Sequence, residues 1–149
     1  MKQFKTFSYL IFIAILLSNC KSTSMKNIIN TPNAPAPIGP YSQAVMYNNT
    51  LYISGAIALD PVTNNMVQTD IETETTQVMK NLGEILKAAG MDFSNIVKTT
   101  IFVSDLANFA KINTVYGSFF KEKFPARETV QVSALPKGAN VEISAIAVK

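Results

Sequence analysis

The sequence predicts an α+β domain of two layers, a mixed sheet with two helices on one face. Strand-type and helix-type apolar spacings succeed one another in the order ββ-α-β-α-ββ, and both helices follow strands that must share one sheet. A further feature points beyond the single chain. The last strand is apolar on both sides, with Val141, Ile143, Ala145 and Ala147 against Ile146 and Val148, which a solvated face would not tolerate. Sheets from several copies are therefore expected to pack together as a homo-oligomer.

The N-terminus reads as a processing signal. Lys2 and Lys5 precede an eleven-residue apolar run from Phe7 to Leu17, about half the length that crosses a bilayer. The run ends in Leu17-Ser18-Asn19-Cys20, which resembles the lipobox of bacterial lipoproteins. This predicts a signal peptide over residues 1–19, a lipidated Cys20 with a tether over 20–33, and a domain over 34–149. The protein would then be held at the cell envelope, on the periplasmic side, through its lipid alone. An internal start at Met25 would instead give a cytoplasmic protein.

Four prolines (Pro32, Pro35, Pro37, Pro40) crowd the eleven residues ending at Tyr41. Proline fixes φ and removes donors, so this stretch should run irregularly over the surface. Ala44–Tyr47 and Leu51–Ser54 flank Asn48-Asn49 and read as a hairpin. Ile71, Thr75, Val78, Met79, Leu82, Ile85, Leu86 and Ala89 recur three and four apart, an amphipathic helix from about Asp70 that Gly90 stops. Ile96–Val103 is rich in β-branched residues and reads as a central strand. Ser104 or Asp105 can cap a second helix carrying Leu106, Phe109, Ile112, Val115, Tyr116 and Phe119. Strands over Thr129–Val132 and Val141–Val148 complete the chain.

Composition narrows the chemistry. The 149 residues are 48% hydrophobic and 15% charged, a globular balance, and they include no His, one Cys and a single Arg, Arg127. Imidazole bases, His-ligated metals, an internal disulfide and thiolate clusters are thereby unavailable within the chain. Cleavage before Cys20 would remove two lysines and leave eleven basic against ten acidic residues. That near-neutral domain is a poor candidate for tracking nucleic-acid phosphates.

Several segments carry a likeness to one family: Ala34-Pro35-Ala36-Pro37-Ile38-Gly39-Pro40-Tyr41-Ser42-Gln43, Tyr52-Ile53-Ser54-Gly55, Ile96–Val103, Pro125-Ala126-Arg127 and Val141–Ala147. Residues 27–149 resemble the RidA (YjgF, liver perchloric-acid-soluble protein) family. The resemblance implies a chorismate-mutase-like α+β fold and a homotrimer whose sheets form a central barrel, with active sites at the three subunit clefts. It also implies hydrolysis of 2-imino and 2-enamino acids, such as 2-aminoacrylate, to 2-oxo acids and ammonia without cofactor or metal. Two positions depart from the family pattern: Ala56 and Ser144 stand where members often carry Gln and Glu.

Within that likeness, Arg127 can clamp a substrate carboxylate bidentately, which Lys cannot copy. The ordinary alternative is a surface Arg ion-paired to Glu122 or Glu128. Glu142 can hold and polarise the attacking water, then pass its proton to the departing amine. Its alternative is an edge-strand carboxylate facing solvent. By resemblance Tyr41, Ser54 and Thr129 line the pocket with hydroxyls, and Asn113 touches the neighbouring subunit's pocket. Outside the enzyme class, the same clefts would suit a trimeric module that binds small carboxylates without turnover. RNA cleavage is the least supported reading.

Overall fold

The computed structural model describes residues 26–149; the expected signal peptide and the expected lipidation site, Cys20, lie outside the described residues. Six strands form one mixed sheet: β1 (Lys26–Ile29), β2 (Ala44–Tyr47), β3 (Thr50–Ala56), β4 (Ile96–Val103), β5 (Ala126–Gln131) and β6 (Val141–Val148). Their spatial order is β1-β2-β3-β6-β4-β5, antiparallel except for the parallel β4–β5 pair. Helix α1 (Ile71–Ala88) fills the connection between β3 and β4, and α2 (Phe109–Ser118) the one between β4 and β5. The two helices pack against each other.

Helix α1 follows the predicted stripe. All eight of its expected apolar-face positions, Ile71 to Ala89, are buried. Asp70 caps its start by accepting from the Thr73 amide at 2.7 Å. At its end Met91 N–H donates to the Leu86 carbonyl and Gly90 N–H to that of Lys87, with Gly90 at φ +68°. This is a Schellman stop, and the left-handed position explains the glycine. The hairpin turns at Asn48, φ +53°, as Asn tolerates.

The second helix begins at Phe109, because Leu106–Asn108, which Asp105 caps, forms a separate 3-10 turn, and two strands also differ from the sequence reading. Lys26–Ile29, expected in a polar tether, pairs with β2 as an exposed edge strand. Its side chains bury little, so the apolar pattern does not reveal it; the backbone ladder makes the strand. β5 begins at Ala126, three residues before the predicted Thr129, because its register against β4 starts at Lys98↔Ala126. Ladder pairing there overrides the weak strand preference of Ala126, Arg127 and Glu128.

One sheet face is dry. Leu51, Ile53, Ile101, Val103, Val141 and Ile143 pack there against Val78, Met79, Leu82, Leu86 and Ile112 of the helices. Among the described residues, no helix covers the opposite face. The register aligns Ile28, Val45, Tyr52 and Ile146 in one row across four strands of that face, and Tyr52 is 49% exposed.

Candidate active site

Glu142 belongs to β6, a central strand, and pairs with Phe102 on the face away from the helices. It is not an edge-strand carboxylate. Its side chain is half-buried in a cleft of about 330 Å³, beside Tyr41, Ser54, Gly55 and Ala56. Apart from these the walls are mostly apolar, with Ile38, Ile57 and Ile85 among them. Burial alone pushes the Glu142 carboxyl above its ordinary pKa. Among the described residues, no cationic side chain lines the cleft to oppose that shift.

The rim of this cleft is the proline-rich segment, and one buried residue holds it. Gln43 donates to the carbonyls of Thr31, Ala34 and Pro35 and accepts from the Thr31 amide at 2.7 Å. Prolines leave carbonyls without matching donors, and a buried amide side chain supplies them. Tyr41 is then fixed by the Ile38 amide, which donates to its hydroxyl at 3.2 Å. Ser54 donates to the Ser42 carbonyl at 2.8 Å, so its hydroxyl proton is already engaged.

Arg127 lies elsewhere. It stands opposite Thr99 in the β4–β5 register, on the helix face at the sheet edge. Its guanidinium carbon sits 5.1 Å from the Tyr116 ring centroid and 5.7 Å from that of Phe109. Two aromatic faces thus orient the fork. Tyr116 is itself fixed by a 2.9 Å hydrogen bond with Thr99, and burial pushes its phenol pKa up. Among the described residues Arg127 makes no ion pair; Glu128 is taken by Lys98 and Thr100 instead, which hold its carboxyl below the ordinary range. The surface-pair alternative therefore does not describe Arg127.

Arg127 and Asn113 share a second cleft with Tyr116, Gly117, Phe124 and Pro125. Thr129, two residues along β5 on the same face, has a buried hydroxyl with no hydrogen-bond partner among the described residues. Within one chain the six candidate residues therefore divide. Tyr41, Ser54 and Glu142 line one cleft, Arg127 and Asn113 the other, and Thr129 stands beside Arg127. Sequence reasoning missed Gln43 and the aromatic platform of Phe109 and Tyr116, which helical spacing presents as ordinary core. It also missed Gly55, whose signal is only its place after Ser54 in a strand.

A family profile described as Endoribonuclease L-PSP matches residues 31–149. The human protein named 2-iminobutanoate/2-iminopropanoate deaminase is 48% identical over 128 residues, covering 86% of this chain and 93% of the human one. A crystal structure from Yersinia pestis, described as a protein of unknown function of the conserved Rid family, is similar with a TM-score of 0.82 at 51% identity. That likeness covers 84% of this chain and 100% of the other. E. coli TdcF, solved with bound serine, has a TM-score of 0.80 at 40% identity, over 83% of this chain and 99% of its own.

Proposed function

Because the chain belongs to the RidA family, the one whose profile is described as Endoribonuclease L-PSP, we propose that it is a deaminase of 2-imino and 2-enamino acids. It releases ammonia and leaves the 2-oxo acid. The observation that carries this reading is a guanidinium on an aromatic platform that makes no ion pair among the described residues, together with a half-buried carboxylate whose pKa burial raises. The first suits a substrate carboxylate. The second suits proton transfer, since a raised carboxyl titrates nearer neutral pH.

An enamine first tautomerises to the imine, whose carbon is electrophilic. Glu142 takes a proton from water as the oxygen bonds to that carbon. It returns that proton to the nitrogen, then carries the remaining hydroxyl proton to the same nitrogen, so that ammonia leaves as the C–N bond breaks and the carbonyl forms. Arg127 holds the substrate carboxylate throughout, so the protein contributes mainly position. Tyr41, Ser54, Asn113 and Thr129 line the space between.

The two halves of this machinery lie in separate clefts of one chain, so the site forms where copies meet. Arg127, Asn113 and Thr129 of one copy face Glu142, Tyr41 and Ser54 of the next, in a homotrimer. The uncovered row of Ile28, Val45, Tyr52 and Ile146 supports burial between copies. The unpartnered Thr129 hydroxyl gains a partner there.

The deaminase reading ranks above RNA cleavage. Relatives about half identical carry deaminase names, and the chain has no His and one Arg. Ammonia release from enzymatically generated 2-aminoacrylate tests it. Tight binding of small carboxylates without release would leave only a binding module.

The N-terminal reading is part of the same proposal: a lipoprotein anchored through Cys20. Since β1 starts at Lys26, only residues 21–25 separate the lipid from the sheet, at most about 18 Å of extended chain. Mass spectrometry of the mature N-terminus from native membranes decides it. A diacylated Cys20 supports the anchor, and an unprocessed start at Met25 refutes it.

A further inference from the structure

Among the described residues, no hydrogen bond reaches the Glu142 carboxylate, and burial is the single cause of its shift. Its location is therefore inherited from the β6 backbone and from the gap above Gly55. The backbone just before it is held from two sides. Asn140 donates its amide N–H to Glu74 Oε1 at 2.7 Å and its Nδ2 to Glu74 Oε2 at 2.9 Å. Its Oδ1 accepts from the Ser104 hydroxyl at 3.1 Å, and its carbonyl accepts from the Ser104 amide at 3.0 Å. Every polar group of Asn140 is satisfied, and by only two residues.

Glu74 is an unusual choice for this task. It is fully buried in α1 and, among the described residues, forms no ion pair. Burying a carboxylate without a countercharge is costly, and a well-packed apolar pair would be the more stable filler. What the bidentate clamp supplies is direction. β6 cannot slide or rotate at Asn140 without stripping two donors from a buried carboxylate. We propose that Glu74 is a positioning residue for Glu142, acting through Asn140 to set where β6 presents its carboxylate to the cleft. The role given to Glu142 rests on the deaminase reading; the clamp itself does not.

A side-chain swap tests this in the full-length protein. Glu74→Gln sets an amide donor against the Asn140 donor, and Asn140→Asp sets two carboxylates together. The double variant Glu74→Gln/Asn140→Asp reverses the polarity and can remake every bond. The readouts are the Glu142 titration midpoint, by carboxyl-carbon NMR, and kcat and KM for ammonia release. Each single variant should let the carboxylate reach water and bring its midpoint down to the ordinary carboxylate range. Each should also lower kcat about tenfold while KM stays within about twofold. The double variant should restore both. Ser104→Ala, which removes one bond, should shift the midpoint less in the same direction if the single variants do not fold. A midpoint unmoved in Glu74→Gln, or in Ser104→Ala, overturns the proposal. So does a double variant that regains thermal stability without regaining the midpoint. A wild type that releases no ammonia, with a midpoint that still falls in Glu74→Gln, would refute the deaminase reading and uphold the clamp.

Discussion

The Glu142 side chain occupies the space that a side chain at position 55 would fill. A β-carbon built on Gly55 would lie 2.8 Å from Glu142 Cδ and 3.1 Å from its Cγ. Gly55 is not in the left-handed region, unlike Gly90 and Gly138, so its freedom of φ is not what the fold uses. The missing side chain is. It lies in β3, beside the register shift between Ile53 and Ala56.

Gly55→Ala should therefore separate activity from stability. The obstructed atoms belong to the flexible end of a half-buried side chain, so the fold can give way there. The carboxylate cannot stay in place. Misplacement by about 1 Å costs roughly a hundredfold in rate, and kcat/KM should fall by that order while the melting midpoint moves only about a few degrees. Wild-type turnover by Gly55→Ala would show that the location of Glu142 does not matter.

Arg127→Lys keeps the charge and loses both the fork and the planar group over Tyr116 and Phe109. Losing a charge-assisted bidentate contact costs about 1.5–3 kcal/mol, roughly ten- to a hundredfold in kcat/KM. Arg127 is exposed and makes no ion pair among the described residues, so oligomeric state and melting temperature should hold. Near-normal turnover of 2-aminoacrylate would remove Arg127 from the clamp role.

These residues show what one chain of letters can reveal. The α1 stripe and the strands over Ile96–Val103 and Val141–Val148 are legible because side-chain period and burial coincide there. β1 is not legible, because an exposed edge strand owes its existence to ladder bonds with β2 and not to apolar side chains. Arg127 and Glu142 stand out by residue type and by motif. Their separation into two clefts does not, since it follows from the register of β5 and β6 against β4. Glu74 is hidden for a related reason: on a helix surface a Glu usually faces water, and only tertiary packing turns this one toward Asn140.

Glu142→Gln should lower kcat by about a hundredfold or more and change KM less, because proton transfer matters mainly in the transition state. It should also alter stability in a pH-dependent way. The folded-state pKa of Glu142 lies above its unfolded value, so ionising this group opposes folding. That opposition is absent below the unfolded pKa and complete above the folded one. At neutral pH the Gln variant should melt higher than wild type. The difference should close as pH falls through the raised folded value into the ordinary carboxylate range. A pH-independent difference would mean that Glu142 titrates alike in both states.

Mixing two inactive variants tests whether each site joins two copies. Arg127→Ala and Glu142→Gln each leave the other catalytic group intact. If both groups of a site came from one chain, every site in a mixed assembly would carry a lesion, and no activity would return. If Arg127 comes from one copy and Glu142 from the next, random equal mixing gives a site an intact Arg half the time and an intact Glu half the time. About a quarter of sites should then recover. The chain favours the second outcome, because Arg127 lies on the helix face at the β5 edge and Glu142 on the opposite face of central strand β6. The variants are unfolded and refolded together, so that their subunits assort at random. Separately refolded variants pooled afterwards are the control. Activity near one quarter of wild type in the co-refolded sample, and none in the pooled one, establishes shared sites. Silence in both places the whole site within a single chain and refutes the assembly argued from the two clefts.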